Sequence, residues 1–234
     1  MRKLTTILCL TLAVLLGSAG VSASADLQKG LTAYENKDYA TALREWKPLA
    51  EQGDAYAQFK LGRMYRKGKG VPQDDKTAVK WYRLAAEQGF ADAQFYLGVM
   101  YDTGKGVSQD YKTAVKWYRL AAEQGYAFAQ YNLGVMYRKG LGVPQDYKTA
   151  VKWYRLAAEQ GDADAQTSLG FMYANGLGVP QDDKTAVKWY RLAAEQGFGG
   201  AQREVHKLQK RIAQQKPSPT VTAEKPKPKV DHQI

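Results

Sequence analysis

KTAVKWYRLAAEQG occupies residues 76–89 and returns without a change at 112–125, 148–161 and 184–197. Shorter copies of its end, AEQG, stand at 50–53, 86–89, 122–125, 158–161 and 194–197, so the period is 36 residues without a slip. A fixed period of that size is the mark of a repeat architecture, in which each unit is one small piece of supersecondary structure. Four full units can be written, 54–89, 90–125, 126–161 and 162–197, with a divergent half-unit before them and another after.

Each unit reads as two helices. In AYAQFKLGRMYRKG, residues 55–68, Ala57, Leu61, Met64 and Tyr65 fall at i, i+4, i+7 and i+8 and form one apolar stripe. Gly68 and Gly70 stop that helix, and Val71 and Pro72 lie in the connection. Asp74 suits an N-cap, with Asp75 behind it in the first turn, where negative charge complements the helix dipole. The quoted stretch is then the second helix, with Ala78, Trp81, Tyr82 and Ala85 as its apolar stripe and Gly89 at its end. A short loop between them predicts antiparallel neighbours, hence a helical hairpin.

A single hairpin cannot close a core, and stacked hairpins can. The reading therefore places Trp81, Trp117, Trp153 and Trp189 at equivalent seams between units. Gly62, Gly98, Gly134 and Gly170 recur in mid-helix, where glycine costs about 1 kcal/mol relative to alanine. Their retention in all four units predicts a close helix crossing. The segment 26–53 is a helical cap in which Pro48 is expected to bend the second helix. Residues 198–215 form a C-terminal capping helix on Ala201, Val205, Leu208 and Ile212, with Arg203, Lys207, Lys210 and Arg211 facing solvent.

By these residues the chain resembles the Sel-one-like repeat (SLR) family, a relative of the tetratricopeptide repeats. In the first unit the matching residues are Ala55, Ala57, Leu61, Gly62, Tyr65, Gly68, Gly70, Val71, Asp74, Lys76, Ala78, Trp81, Tyr82, Ala85, Ala86 and Gly89. The resemblance implies an all-α fold: a right-handed α-solenoid of antiparallel helix hairpins that serves as an adaptor or scaffold between proteins, often exported in bacteria. The cysteine-rich branch of the family, with a disulfide in each repeat and reported penicillin binding, is not matched. The chain's one cysteine, Cys9, lies near its start.

That start has the order of a secretory signal. Arg2 and Lys3 precede an apolar run from Leu4 to Leu16, and Ala23-Ser24-Ala25 offers a cleavage site before Asp26. A run of that length is too short to span a bilayer. Cleavage at Ala25/Asp26 would leave a thiol-free chain in the periplasm or secreted, with no membrane span, expected to be a monomer. Of the net charge of +11, +5 lies in residues 203–234 and only +4 in 26–202. The Pro- and Lys-rich tail, 216–234, is too poor in apolar residues to fold and is expected to be disordered. It is read as a solubilising tail, with contact to anionic surfaces as the alternative.

The units differ along one helical face. The third, sixth, seventh, tenth, thirteenth and fourteenth positions change from unit to unit, while the fourth, eighth, eleventh and twelfth do not. The changing face offers Tyr56, Phe59, Lys60, Arg63 and Arg66 in unit one and Asp92, Phe95, Tyr96 and Asp102 in unit two. It offers Phe128, Tyr131, Asn132 and Arg138 in unit three, and Thr167, Ser168, Phe171 and Asn175 in unit four. Aromatic side chains ringed by mixed charge suit the recognition of a polypeptide, which makes a protein or peptide of the cell envelope the expected partner on the inner wall of the solenoid. Phe59, Phe95 and Tyr131 recur at one position, so packing on the adjoining unit is the competing reading for them.

Two other function classes find little support. A cell-wall or β-lactam hydrolase, suggested by the cysteine-rich relatives, would need motifs such as S-x-x-K, S-D-N or K-T-G, which are absent. His206 and His232 are the only histidines, so neither a histidine-based triad nor a histidine metal site can be assembled, and no cofactor is expected. Single-stranded RNA recognition by helical repeats is disfavoured by the weakly basic body and the export signal.

Overall fold

The computed structural model describes residues 25–215; the signal-like segment and the tail lie outside the described residues, apart from Ala25. Eleven helices and no strand occur among them. Helix α1 spans 25–35 and α2 Tyr39–Glu51. The units then follow as pairs: α3 (Ala55–Lys67) with α4 (Asp75–Glu87), α5 (Ala91–Thr103) with α6 (Tyr111–Glu123), α7 (Ala127–Lys139) with α8 (Tyr147–Glu159), and α9 (Ala163–Asn175) with α10 (Asp183–Glu195). Helix α11 (Gly199–Gln215) closes the array. Each helix packs chiefly on its sequence neighbours, giving the α-solenoid of stacked hairpins that the period predicts.

The hairpins are delimited by local chemistry. Each first helix ends on a left-handed glycine, at Gly68, Gly104, Gly140 and Gly176. Each second helix begins on an aspartate cap. The Asp74 carboxylate accepts from the backbone N–H groups of Lys76 and Thr77, and the Thr77 hydroxyl donates to its other oxygen at 2.6 Å. Asp110, Asp146 and Asp182 do the same for their helices. In the N-terminal pair, α2 runs on through Pro48.

Within a hairpin the two helices meet through a glycine and a tyrosine. A Cβ on Gly62 would lie 2.6 Å from Cδ1 of Tyr82, and one on Gly98 or Gly134 would meet the ring of Tyr118 or Tyr154 equally closely. Gly170 stands under Tyr190 in the same way, at 3.0 Å. These tyrosines are buried. The N-terminal pair repeats the device with Gly30 beneath Trp46, whose indole donates to the Leu27 carbonyl at 3.2 Å. The predicted close crossing is thus a ring laid where glycine has no side chain.

Between hairpins the contacts are of other kinds. Trp81 is half-buried against a core that spans the seam, formed by Trp46 and Leu49 of the preceding hairpin and by Ala57, Leu61 and Met64 of its own hairpin's first helix. Trp117, Trp153 and Trp189 take equivalent places in the next three seams. The tryptophans therefore do stand at the seams, but the fully buried ring of each unit is the tyrosine beside them. Buried glutamines complete the join. Gln94 donates to the Ala86 carbonyl at 3.1 Å and accepts from Gln124 at 2.8 Å, tying the end of α4 to the end of α6 through α5. Gln58, Gln130 and Gln166 make the same bridge in their units. Arg83 donates to the Tyr101 hydroxyl at 2.7 Å, a tie repeated by Arg119 to Tyr137 and Arg155 to Tyr173. At the C-terminal end, Arg211 does not simply face solvent. Its guanidinium forms an ion pair with the buried Asp183 carboxylate and donates to the Ala174 carbonyl at 2.9 Å.

Two predictions follow from this packing. Gly98→Ala should lower stability by about 1–3 kcal/mol, because the Tyr118 ring is enclosed and cannot yield. Gly200→Ala, where an added Cβ meets nothing within 4 Å, should raise it by about 0.5 kcal/mol. Urea denaturation of the two variants beside the wild type reads both signs. The second prediction concerns acid. The Thr77 side-chain and backbone hydrogen bonds hold the Asp74 carboxyl below its ordinary pKa, and threonine does the same for Asp110, Asp146 and Asp182. A carboxyl depressed in the folded state stabilises it above the unfolded pKa of about 3.9 and ceases to do so as pH falls through the folded value. Asp110→Asn/Asp146→Asn keeps an acceptor at each cap but removes its titration. Its unfolding midpoint should fall less between about pH 5 and pH 2 than that of the wild type.

Candidate functional site

The changing positions lie on the first helices, α3, α5, α7 and α9, and neighbouring stripes touch. Phe59 of α3 lies 5.7 Å from Tyr96 of α5, and Phe95 of α5 lies 6.2 Å from Phe128 of α7 (ring centroids). The row continues onto α11. A cavity of about 960 Å³ is lined by Arg138 of α7, by Thr167, Ser168, Phe171 and Asn175 of α9, and by Arg203, Glu204 and Lys207 of α11, with Tyr190 of α10 beside them. Counted by the period of 36, Arg203, Glu204 and Lys207 occupy the sixth, seventh and tenth positions of a fifth unit. The C-terminal cap thus carries the stripe one helix further than the four units.

The expected stripe residues divide into three groups. Phe59 is a correction: it is 3 % exposed, packed on Tyr82 and Phe90, and offers no surface to a partner. The ring at this position lies against the tyrosine of its own hairpin and is then sealed by the next unit. The second group is half-buried. Phe95 packs on Tyr118, Tyr126 and Phe128, and Tyr131 on Tyr154. Tyr96 is stacked on Tyr82 at 5.6 Å, and Tyr56 meets Phe90 edge-on. The Asp92 carboxylate accepts from the Tyr126 hydroxyl at 3.3 Å. Asn132 spends its amide on the Phe128 carbonyl of its own helix. Of the aromatic stripe residues, only the third group is freely exposed, Phe128 at 58 % and Phe171 at 42 %. Arg63 and Arg138 are half-buried, Arg63 over the Phe59 ring and Arg138 donating from Nε to the Tyr154 hydroxyl at 3.2 Å.

Two contributors escape a reading confined to the six changing positions. Phe90 and Tyr126 stand at the first position of their units, where Asp54 and Asp162 cap the equivalent helices with their side chains. The aromatic pair gives up that capping bond and packs on Phe59 and Phe95 instead. The first position also differs between units, which was the available signal. The tyrosine series is the other. The hydroxyls of Tyr118 and Tyr154 emerge beside the thirteenth-position side chains, Asp102 and Arg138, and bond to them. Burial pushes the pKa of Tyr118 and Tyr82 well above that of a free phenol, and pushes Tyr154 and Tyr190 up to about 12. No group of three metal-ligating side chains gathers among the described residues, and none of their helices is long and apolar enough to cross a membrane.

A stack of hairpins with matching second helices and a row of altered side chains along the first helices defines a repeat α-solenoid. The Sel1 repeat profile matches residues 55–90, 91–126, 127–162 and 163–198, and the chain belongs to the Sel1 repeat family. Sel1 repeat proteins generally mediate protein–protein interactions, and the family is mostly of the non-enzymatic scaffold type. The chain is similar to a Sel1 repeat protein from Oxalobacter formigenes, with 42 % identity, a TM-score of 0.73, and 77 % of this chain and 74 % of that one covered. It is also similar to c5321, a protective antigen of uropathogenic Escherichia coli strains displaying an SLR fold, with 41 % identity and a TM-score of 0.78. That match covers 83 % of this chain but spans only 43 % of the antigen. A Sel1 repeat protein from Klebsiella pneumoniae subsp. pneumoniae shares the fold at 21 % identity, with a TM-score of 0.52 and 80 % of this chain and 93 % of that one covered. No curated protein matches the chain.

The division between packing and exposed rings can be measured. Phe95→Ala should cost about 1–3 kcal/mol, because it empties a contact shared by two units. Phe171→Ser should change stability by no more than about 0.5 kcal/mol. Thermal or urea unfolding of the two variants distinguishes them, and equal losses would contradict the assignment.

Proposed function

We propose that this chain is an exported, monomeric scaffold that holds an extended or helical segment of another cell-envelope protein along the row of first helices. One observation carries the reading. The positions that change between otherwise matching units converge on a single continuous face, with the open cavity at its C-terminal end and Phe128 and Phe171 exposed along it. Exposed aromatic side chains set among Arg138, Arg203, Glu204 and Lys207 give the mixture of apolar anchor and polar rim found at protein interfaces. The exported location rests on the order of residues 1–25, a basic start, an apolar run and an A-x-A site.

The test is site-specific photocrosslinking in cells. A photoreactive residue placed at Phe128 or Phe171 should capture one and the same protein. Placed at Leu84 or Leu120, exposed on the second helices, it should not. Equal capture from both faces would remove the stripe from the function. Osmotic-shock fractionation with N-terminal sequencing tests the location: a chain beginning at Asp26 in the released fraction is expected, and an uncleaved cytoplasmic chain would overturn that part.

A further inference from the structure

The N-terminal end of the stripe is chemically unlike the rest. Lys60, Arg63, Arg66 and Lys67 all project from α3, and Lys69 follows in the loop. Four of the five lie over aromatic rings. The Lys60 ammonium is 4.7 Å from the Tyr56 centroid, Arg63 is 5.8 Å from Phe59, Arg66 is 5.1 Å from Tyr96, and Lys69 is 5.0 Å from Tyr39. No ion pair between them and a carboxylate occurs among the described residues. The ion pairs among the described residues lie on α1 and α2 and on α10 and α11.

The arginines are also unsatisfied. The Nε atoms of Arg63 and Arg66 are shielded from solvent and have no hydrogen-bond partner, and neither has the buried hydroxyl of Tyr82 beneath them. Arg66 approaches that hydroxyl without reaching hydrogen-bond geometry. The equivalent hydroxyls one and two units along, on Tyr118 and Tyr154, are bonded to Asp102 and Arg138. Desolvation, and then repulsion from Arg63, Lys69 and Arg66, lowers the Lys67 pKa, so the positive charges feel one another. Neither guanidinium donates a hydrogen bond to a partner among the described residues, so both keep donor capacity for a bound acceptor. A guanidinium fork matches a carboxylate in both geometry and charge.

We infer that Arg63 and Arg66, backed by Tyr82 and flanked by Lys60 and Lys67, bind an acidic side chain of the partner polypeptide. This rests on the scaffold reading above and deepens it, since it fixes which end of the stripe receives the acidic part of the partner. A polypeptide carboxylate is favoured over a lipid headgroup because the site continues into a row of aromatic side chains, with Tyr56, Phe90 and Tyr96 at its edge.

The experiment uses the full chain and a fluorescein-labelled hexaglutamate amide, read by anisotropy at low salt, with hexalysine and hexaglutamine peptides as controls. Hexaglutamate should bind and the controls should not. Arg63→Gln/Arg66→Gln should weaken binding at least about tenfold, whereas Arg203→Gln/Lys207→Gln, the same charge change at the far end, should weaken it less than about twofold. Arg63→Lys/Arg66→Lys keeps the charge and loses the fork, so an intermediate loss is expected, and this pair decides the matter if the glutamine variant fails to fold. Absent binding, equal loss from both ends, or no loss at Arg63 and Arg66 would overturn the inference. So would phosphatidylglycerol vesicles that bind with the Arg63/Arg66 dependence while hexaglutamate does not. Crosslinking from Phe128 and Phe171 that still captures a partner, alongside a negative hexaglutamate result, sinks the acidic site and leaves the scaffold standing.

Discussion

Everything in this solenoid is set by a ring lying on a glycine. Tyr82 on Gly62, and its three counterparts, fix how near the two helices of a hairpin come. A side chain at the glycine would push the helices apart, and the Ala78 and Ala85 contacts around the ring would open with them. The same tyrosine crosses the hairpin from the invariant side to the variable one. Its ring belongs to the packing, while its hydroxyl reaches the stripe and meets the thirteenth position. The packing and the changing stripe are therefore not separate layers. A change at Arg66, Asp102, Arg138 or Ala174 alters what the buried hydroxyl of that unit can bond to.

The joins between hairpins explain why one stretch is copied so faithfully. Residues of the second helix serve three neighbours at once. Trp117 covers the core of the hairpin before it, Arg119 bonds to Tyr137 of the hairpin after it, and Gln124 clasps Gln94 within its own. In a periodic stack the second helices of the first three units have the same three surroundings, so the same residues solve the problem each time. The glutamine bridge is the most demanding of these ties. Gln94 is buried and Gln124 is not, so losing Gln124 leaves a shielded acceptor on Gln94 unpaired, at a cost of about 1–3 kcal/mol.

The period, the two helices of each unit and the aspartate caps were legible because each rests on residues adjacent in sequence. So was the split into an invariant and a changing face. What stayed hidden depended on contacts across units. Trp81 and Tyr82 are neighbours on one helix, and nothing in their spacing says that the smaller ring is enclosed and the larger one only half-covered. Phe59 changes between units yet is buried, because its ring fills a gap between two hairpins that no single unit contains. Gln58 and Gln88 recur as faithfully as any glycine, but their pairing spans 30 residues and joins three helices. Arg211 and Asp183 look like ordinary surface charges until the last helix brings them together.

The open end of the stripe has a physical origin in two exchanges of residue. At the sixth position the first three units carry Phe59, Phe95 and Tyr131, and each ring covers the tyrosine of its own hairpin. The fourth unit carries Thr167, which is too small to do so, and Ala174 replaces the charged side chain that stands at the thirteenth position elsewhere. Tyr190 is consequently left at the wall of a cavity instead of beneath another ring. The N-terminal end is the reverse, with every gap filled by rings and the cations laid on top. One scaffold has thus been given a plugged, positively charged end and a hollow one by varying side chains on one face of its first helices. If the stripe holds a guest as proposed, that gradient, more than any single residue, would give it a direction in which to lie.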